Sequence, residues 1–266
     1  MKIEPSVQAL PGPIAQALKD TSTDGLSIKT DSASEVYRYV SDATGRGSYL
    51  KIQPPSWSPP LSRERDAMGW FYGKVTVPEI IVYHRENDVE YLLTTAIPGQ
   101  SSENESCHAN KQHLVEQLAD ALHTIHNIPT TACPIDKTPD GLIAHGRARI
   151  EAGIITQKMV EDEGMAGSPT EALDGLAEKA HELEGPVMTH GDYCLPNIMI
   201  ENDQVSGFID LGYFGVGDPY RDYIAAQYSV RRNLGEEWVA SFFNAYGLKS
   251  LDEQKLRWYR QIQAFD

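Results

Sequence analysis

The apolar residues of this chain change their period near residue 100, and that change decides what the chain can build. Up to that point the runs "SEVYRYV", "SYLKIQ", "EIIVYH" and "VEYLLTTAI" carry the β-branched and aromatic residues of strands. "SDATGRG", with Gly45 and Gly47, and "REND" supply turns for two hairpins. Past the Pro-rich "PPSWSPP", the segment "LSRERDAMGWFYG" spaces its charged and apolar residues as a helix does. "IPGQSSENES" reads as a linker around Pro98 and Gly99. Beyond it, Leu114, Leu118, Leu122 and Ile125 recur at four, four and three residues, the stripe of an amphipathic helix. Helical patterns continue over roughly 140–164, 169–183, 219–232, 234–246 and 251–265, with short strands "PVMTH", "IMIE" and "VSGFID" among them. The expected fold class is α+β, with a small β-rich part over residues 1–95 and a larger helical part over 96–266.

Charge and cysteine content narrow the function. The 23 basic and 38 acidic residues leave a net charge of −15, which excludes nucleic acid and anionic membranes as expected partners and suits a cationic small molecule. Three scattered cysteines, Cys107, Cys133 and Cys194, make neither a disulfide framework nor a zinc pattern. The opening "MKIEPSVQALPGPIAQAL" has no continuous apolar stretch, and no run of about 18 apolar residues occurs. A cytoplasmic protein, acting as a monomer, is the expectation.

The chemistry concentrates in "HGDYCLPN", residues 190–197, and in "FIDLG", whose Asp210 stands thirteen residues after Asn197. Asp192 and Asn197 fall on a loop between two short strands, and Asp210 is expected to end the next strand. An Asn and an Asp offering oxygen atoms suit Mg²⁺, which favours hard ligands and keeps room for water and phosphate. The other aspartate is then available to orient a hydroxyl and accept its proton. That division of labour belongs to phosphoryl transfer. The D-x-x-x-x-N spacing equals that of the protein-kinase catalytic loop, with "DLG" where a D-F-G would follow.

"HGDYCLPNIMI" and "VSGFIDLGYFGVGDPYRD" closely resemble the aminoglycoside phosphotransferases, above all the 3′-phosphotransferases. "SEVYRYV", "YLKI", "RERDAMGWF", "ALHTIHNI" and "NLGEEW" extend the resemblance in order along nearly the whole chain. It implies a protein-kinase-like two-lobed fold and an enzyme that moves the γ-phosphate of ATP, with Mg²⁺, to an aminoglycoside hydroxyl. Asp192 is then the catalytic base, with Asn197 and Asp210 on the metal. Lys51, inside a strand, holds the nucleotide phosphates and pairs with Glu64. Tyr49 stacks on adenine or packs in the sheet, Ser32 reaches the β-phosphate, and Thr95 and Ile97 meet the adenine edge. Glu161, Asp162 and Glu163 match an acidic loop that faces aminoglycoside amines, or form a solvated surface. His190 is read as loop framework, His123 and His126 as packing residues, and Asp218–Pro219 as the cap and first residue of a helix.

Two positions depart from that pattern. The family's tail is acidic and aromatic, whereas "QIQAFD" places Ala264 at the acidic position and leaves Phe265, Asp266 and the terminal carboxylate to substitute in binding substrate. Tyr213 stands where the family has an arginine. A kinase of the same fold acting on another small alcohol or amino alcohol, and a nucleotide-binding protein without transfer activity, are the competing readings. Intact Lys51, Asp192, Asn197 and Asp210 count against the last.

Overall fold

A computed structural model describes residues 7–21, 25–28, 34–42, 44–54, 59–181 and 185–266. The chain divides into two compact units, Met1–Gly99 with Ser206–Tyr213, and Gln100–Val205 with Phe214–Asp266.

The first unit contains α1 (Gly12–Ala17), β1 (Leu26–Ile28), β2 (Glu35–Val40), β3 (Gly47–Gln53), α2 (Leu61–Phe71), β4 (Ile80–Glu86) and β5 (Val89–Thr95). The strands form one antiparallel sheet in the order β1-β2-β3-β5-β4. Leu50 lies opposite Tyr37 on one side and Leu93 on the other, and all three are buried with Tyr39 against Ile14 of α1 and Leu18, its C-cap. The strand period of two therefore turns Lys51, next to Leu50, to the other face. Asn87 and Asp88 take φ of 49° and 62°, the paired left-handed residues of a two-residue hairpin turn. The buried face of α2 comprises Leu61, Glu64, Ala67, Met68 and Phe71, so a carboxylate sits in an otherwise apolar helical stripe. Neither α1 nor β1 is expected from sequence, because six and three residues are too short to display a period.

Residues 206–213 join this unit through hydrogen bonds to its backbone. Phe208 N donates to Thr76 O at 3.0 Å, and Ser206 Oγ to Pro98 O at 2.6 Å. A Cβ on Gly207 would lie 2.7 Å from Thr76 O, so only glycine allows this approach. The expected division at residue 95 is contiguous, whereas the observed units exchange this strip of chain.

The second unit contains β6 (Gln100–Ser101), α3 (Lys111–His126), β7 (Asp136–Lys137), α4 (Pro139–Glu151), α5 (Gln157–Asp162), α6 (Pro169–Ala177), β8 (Val187–Thr189), β9 (Ile198–Glu201), β10 (Gln204–Phe208, its last residues in the first unit), β11 (Gly215–Gly217), α7 (Tyr220–Leu234), α8 (Glu237–Tyr246) and α9 (Glu253–Ile262). Side chains of Asn110, Thr138, Thr156, Ser168 and Asp252 cap α3, α4, α5, α6 and α9 by accepting from first-turn amides. The helical pattern over 140–164 is two helices, α4 and α5, parted at Gly153 with φ of 69°. The expected linker folds as β6, paired with β9, followed by a 3₁₀ turn over Glu105–Asn110. Leu142, Leu173, Leu176, Leu256, Tyr259, Ile262 and Phe265 bury the faces of α4, α6 and α9 together. The small sheet β7-β11-β8 runs through this unit and delivers the chain to residue 190.

Candidate active site

Lys51 Nζ lies 2.8 and 2.9 Å from the two carboxylate oxygens of Glu64 and 3.1 Å from Asp210 Oδ1. β3 presents the lysine and the first turn of α2 presents the glutamate, which is 3% exposed. Burial alone would pull the Lys51 ammonium down; the charges of Asp210 and Glu64 outweigh it and hold its pKa above the ordinary lysine value. Burial raises the Glu64 carboxyl, and the Lys51 charge opposes that rise. Asp210 does not end a strand as expected: β10 stops at Phe208, and Asp210 follows with φ of 60°. A non-glycine residue in that region is held there by its surroundings. The next residue, Leu211, is buried, and a Cβ on Gly212 would lie 2.7 Å from Pro59 Cγ, so both neighbours pin the turn that aims Asp210 at Lys51.

In the second unit, Asn197 Nδ2 donates to Asp192 Oδ2 at 2.9 Å and to the Asp192 carbonyl at 3.0 Å. The loop is anchored along its length. Tyr193 Oη donates to Leu118 O at 2.6 Å, and Leu195 N to Ser229 Oγ at 2.8 Å. Leu195 O accepts from Ser102 Oγ at 2.8 Å. Its entry turns on Gly191, with φ of 85°, where the amides of His190 and Gly191 donate to Asp222 Oδ2 and Oδ1 at 2.9 and 2.7 Å. Asp222 also contacts His126 Nε2 at 3.0 Å, and His126 Nδ1 lies 2.7 Å from Tyr246 Oη. Burial would raise the Asp222 carboxyl; His126, His190 and the Gly191 amide outweigh it and leave it below the ordinary value. Asp222 is the residue that sequence reasoning missed. Its signal was its place two residues after "DPY", on the first turn of a helix whose apolar stripe already included Tyr223 and Ile224.

The remaining candidates are placed as follows. Tyr49 is half-buried in β3 between Arg38 and Thr94. The Thr95 amide donates to Glu79 O, and its hydroxyl accepts from the Glu79 amide, both at 2.9 Å; Ile97 is buried. Ser32 lies outside the described residues. Glu161 and Asp162 are exposed at the end of α5, where Asp162 pairs with Lys158 at 2.6 Å. Burial raises the Glu163 carboxyl, with Arg260 opposing and Asp162 adding to the rise. His190 is fully buried framework, and His123, stacked on Tyr246 at 4.0 Å between ring centres, packs α3 on α8. Asp218 sits one residue before the cap, Pro219, and still accepts from the Tyr220 amide at 2.9 Å.

Asp266, expected to bind substrate, lies in a cluster of buried cations. Its carboxylate is ion-paired with Lys137 and, at 2.9 Å, with Arg221, and is nearly buried. Burial would raise it, and Arg221 and Lys137 hold it down at about 2. The carboxylate is thus engaged within the fold by two buried cations.

Among the described residues, no group of three or more His, Cys, Asp or Glu could cage a metal ion. The Asn197 carboxamide and the Asp210 carboxylate are each hard oxygen donors of the kind Mg²⁺ takes, an ion that keeps water and phosphate oxygens among its ligands. Among the described residues no helix is long and apolar enough to cross a membrane.

Residues 27–259 match the phosphotransferase enzyme family. An aminoglycoside 3′-phosphotransferase of Niallia circulans is 32% identical over 235 residues, covering 88% of this chain and 89% of its own. A streptomycin 3″-kinase of Streptomyces griseus is 28% identical and covers 95% and 96%. The solved aminoglycoside phosphotransferase of 3″-Id type from Streptomyces rimosus superposes with a TM-score of 0.70 at 27% identity, covering 91% of this chain and 92% of that one, and has also been solved with ADP and streptomycin. The α+β, two-lobed protein-kinase-like fold expected from sequence is thus borne out. The chain belongs to the phosphotransferase enzyme family, among relatives that are aminoglycoside phosphotransferases.

Proposed function

We propose that this enzyme transfers the γ-phosphate of ATP to a hydroxyl of an aminoglycoside, the 3′-hydroxyl, and so confers resistance by adding a dianion to a polycation. One observation carries the reading: the Asp192 carboxylate is held by Asn197 at 2.9 Å, on a loop anchored at each end, in a chain 32% identical to a 3′-phosphotransferase. The first unit is the nucleotide-binding lobe. Lys51, kept cationic by Glu64 and Asp210, engages the phosphates. Ser32 reaches the same phosphates, Tyr49 flanks the adenine, and Thr95 and Ile97 border its edge. The second unit is the catalytic and substrate-binding lobe.

There the acceptor hydroxyl hydrogen-bonds Asp192 Oδ. As its oxygen attacks the γ-phosphorus in line, the proton passes to that carboxylate and the bond to the ADP oxygen breaks. Asn197 and Asp210 would hold Mg²⁺, which would offset phosphate charge. The exposed acids Glu161 and Asp162, with Glu163, supply a surface for ammonium groups. The enzyme works as a monomer in the cytoplasm, on neither nucleic acid nor membrane.

A second reading, a kinase of the same fold acting on another amino alcohol, is favoured by the commitment of Asp266 to Lys137 and Arg221. ADP release with MgATP across kanamycin, neomycin, gentamicin, streptomycin and simple amino alcohols separates them. Turnover of kanamycin and neomycin without gentamicin, which lacks a 3′-hydroxyl, establishes the first. Turnover of streptomycin alone moves the target to another ring, and turnover of amino alcohols alone supports the second reading.

A further inference from the structure

Lys137, Arg149 and Arg221 are 2%, 9% and 6% exposed, and they gather on one acidic residue, two of them on its carboxylate, in a chain of net charge −15. That residue is Asp266. Lys137 and Arg221 hold its side chain, Arg149 Nη1 donates to its backbone carbonyl, and His145 Nε2 stands 4.0 Å from Oδ1. Buried cations require a fixed anion, so the cluster orders all its members together.

Arg221 extends that order towards the loop of Asp192. While Nη2 binds Asp266 at 2.9 Å, Nη1 donates to Thr189 Oγ1 at 2.7 Å, and the Thr189 hydroxyl donates to Gly215 O at 2.9 Å. Thr189 ends β8, immediately before His190. The next residue of α7, Asp222, accepts from the His190 and Gly191 amides. The consecutive side chains of Arg221 and Asp222 therefore clamp both sides of one turn, three residues from Asp192, and Asp266 fixes the outer nitrogen of the clamp. A planar guanidinium with both nitrogens engaged has one orientation; with one engaged it can swing.

We propose that Asp266 is a positioning residue for Asp192, acting through Arg221 and Thr189, and not a ligand of the substrate. Its kinetic consequence rests on the phosphotransfer reading above; its structural consequence does not.

The test compares the full-length wild type with Asp266→Asn, Asp266→Glu, Arg221→Lys and the Asp266→Asn/Arg221→Lys pair. ADP release gives kcat and KM separately, and amide hydrogen exchange follows residues 190–193. The expected result is a kcat lowered about ten- to a hundredfold in Asp266→Asn at little-changed KM, the range for a displaced catalytic group. Asp266→Glu should recover most of the rate, the pair should be no worse than its worse member, and the loop amides should exchange faster in Asp266→Asn. A raised KM at unchanged kcat would make Asp266 a substrate ligand and overturn the proposal, as would wild-type rate and exchange in Asp266→Asn. Should Asp266→Asn fail to fold, Asp266→Asn/Lys137→Met, which removes one charge of each sign, takes its place. If the wild type turns over no acceptor, the functional reading fails, and loop exchange alone decides this inference: faster exchange supports it, unchanged exchange ends it.

Discussion

The amide of Asn197 binds both the side chain and the backbone carbonyl of Asp192, at 2.9 and 3.0 Å. Its nitrogen is thereby engaged, which leaves the carbonyl oxygen as the atom it can offer to a cation. One residue holds the proposed base and keeps an oxygen available to the proposed metal.

Asp192→Ala is expected to lower kcat by about 10²–10⁴-fold, the usual contribution of a general base, while ATP affinity by calorimetry stays near wild type. Retention of more than a tenth of the rate would remove Asp192 from the role. Asn197→Ala should lower kcat and raise the Mg²⁺ concentration needed for half-maximal rate.

Lys51 and Glu64 form one unit, joined by bonds of 2.8 and 2.9 Å. Lys51→Met and Glu64→Gln should each weaken nucleotide binding and slow turnover. The double variant should be little worse than Lys51→Met, because residues that act through one contact are not additive. Additive losses in a double-mutant cycle would mean that Glu64 serves something other than the lysine.

Asp222 is fully buried and holds His126 together with two loop amides. Asp222→Ala takes the acceptor away from the His190 and Gly191 amides and should cost about 1–3 kcal/mol for each donor left unsatisfied, lowering the Tm accordingly. A change below 1 kcal/mol, on the scale of an exposed pair, would show that water replaces the carboxylate at no penalty.

The Asp266 carboxyl is depressed from 3.8 to about 2 by Arg221 and Lys137. A depressed acid contributes stability that is complete above its unfolded pKa and lost as pH falls through the folded one. The contribution is about 2 kcal/mol, lost between pH 3.8 and about 2. Denaturant titrations across that window should be flatter for Asp266→Asn than for the wild type. Equal slopes would mean that the cluster gains nothing from ionised Asp266.

Local pattern carried much of the architecture. Period two in "EVYRYV" and "SYLKIQ", and the left-handed pair Asn87–Asp88, are properties of a few neighbouring residues, and they are strands and a turn in the structure. The stripe from Leu114 to Ile125 is α3, and the D-x-x-x-x-N spacing brings Asn197 onto Asp192. The two-residue strand β7 and the three-residue β11 had no such signal, because so few residues cannot show a period.

What the sequence by itself determined is what short-range sterics and hydrophobic period determine: the β-rich and helical parts, the hairpins, and the turn-bound loop around Asp192. Only the tertiary structure decided where distant charges find their partners. An aspartate on a helix or near a chain end looks alike in sequence whether water or a cation surrounds it. Packing buried Asp222 beneath the loop amides, placed Lys137 and Arg221 around Asp266, and drew Asp210 to Lys51 from 159 residues away. For Asp222 and Asp266 burial removed water as the competing partner, so the cation or amide brought there by the fold satisfies the charge, whereas Asp210, with 42% of its side chain exposed, meets Lys51 with water still at hand.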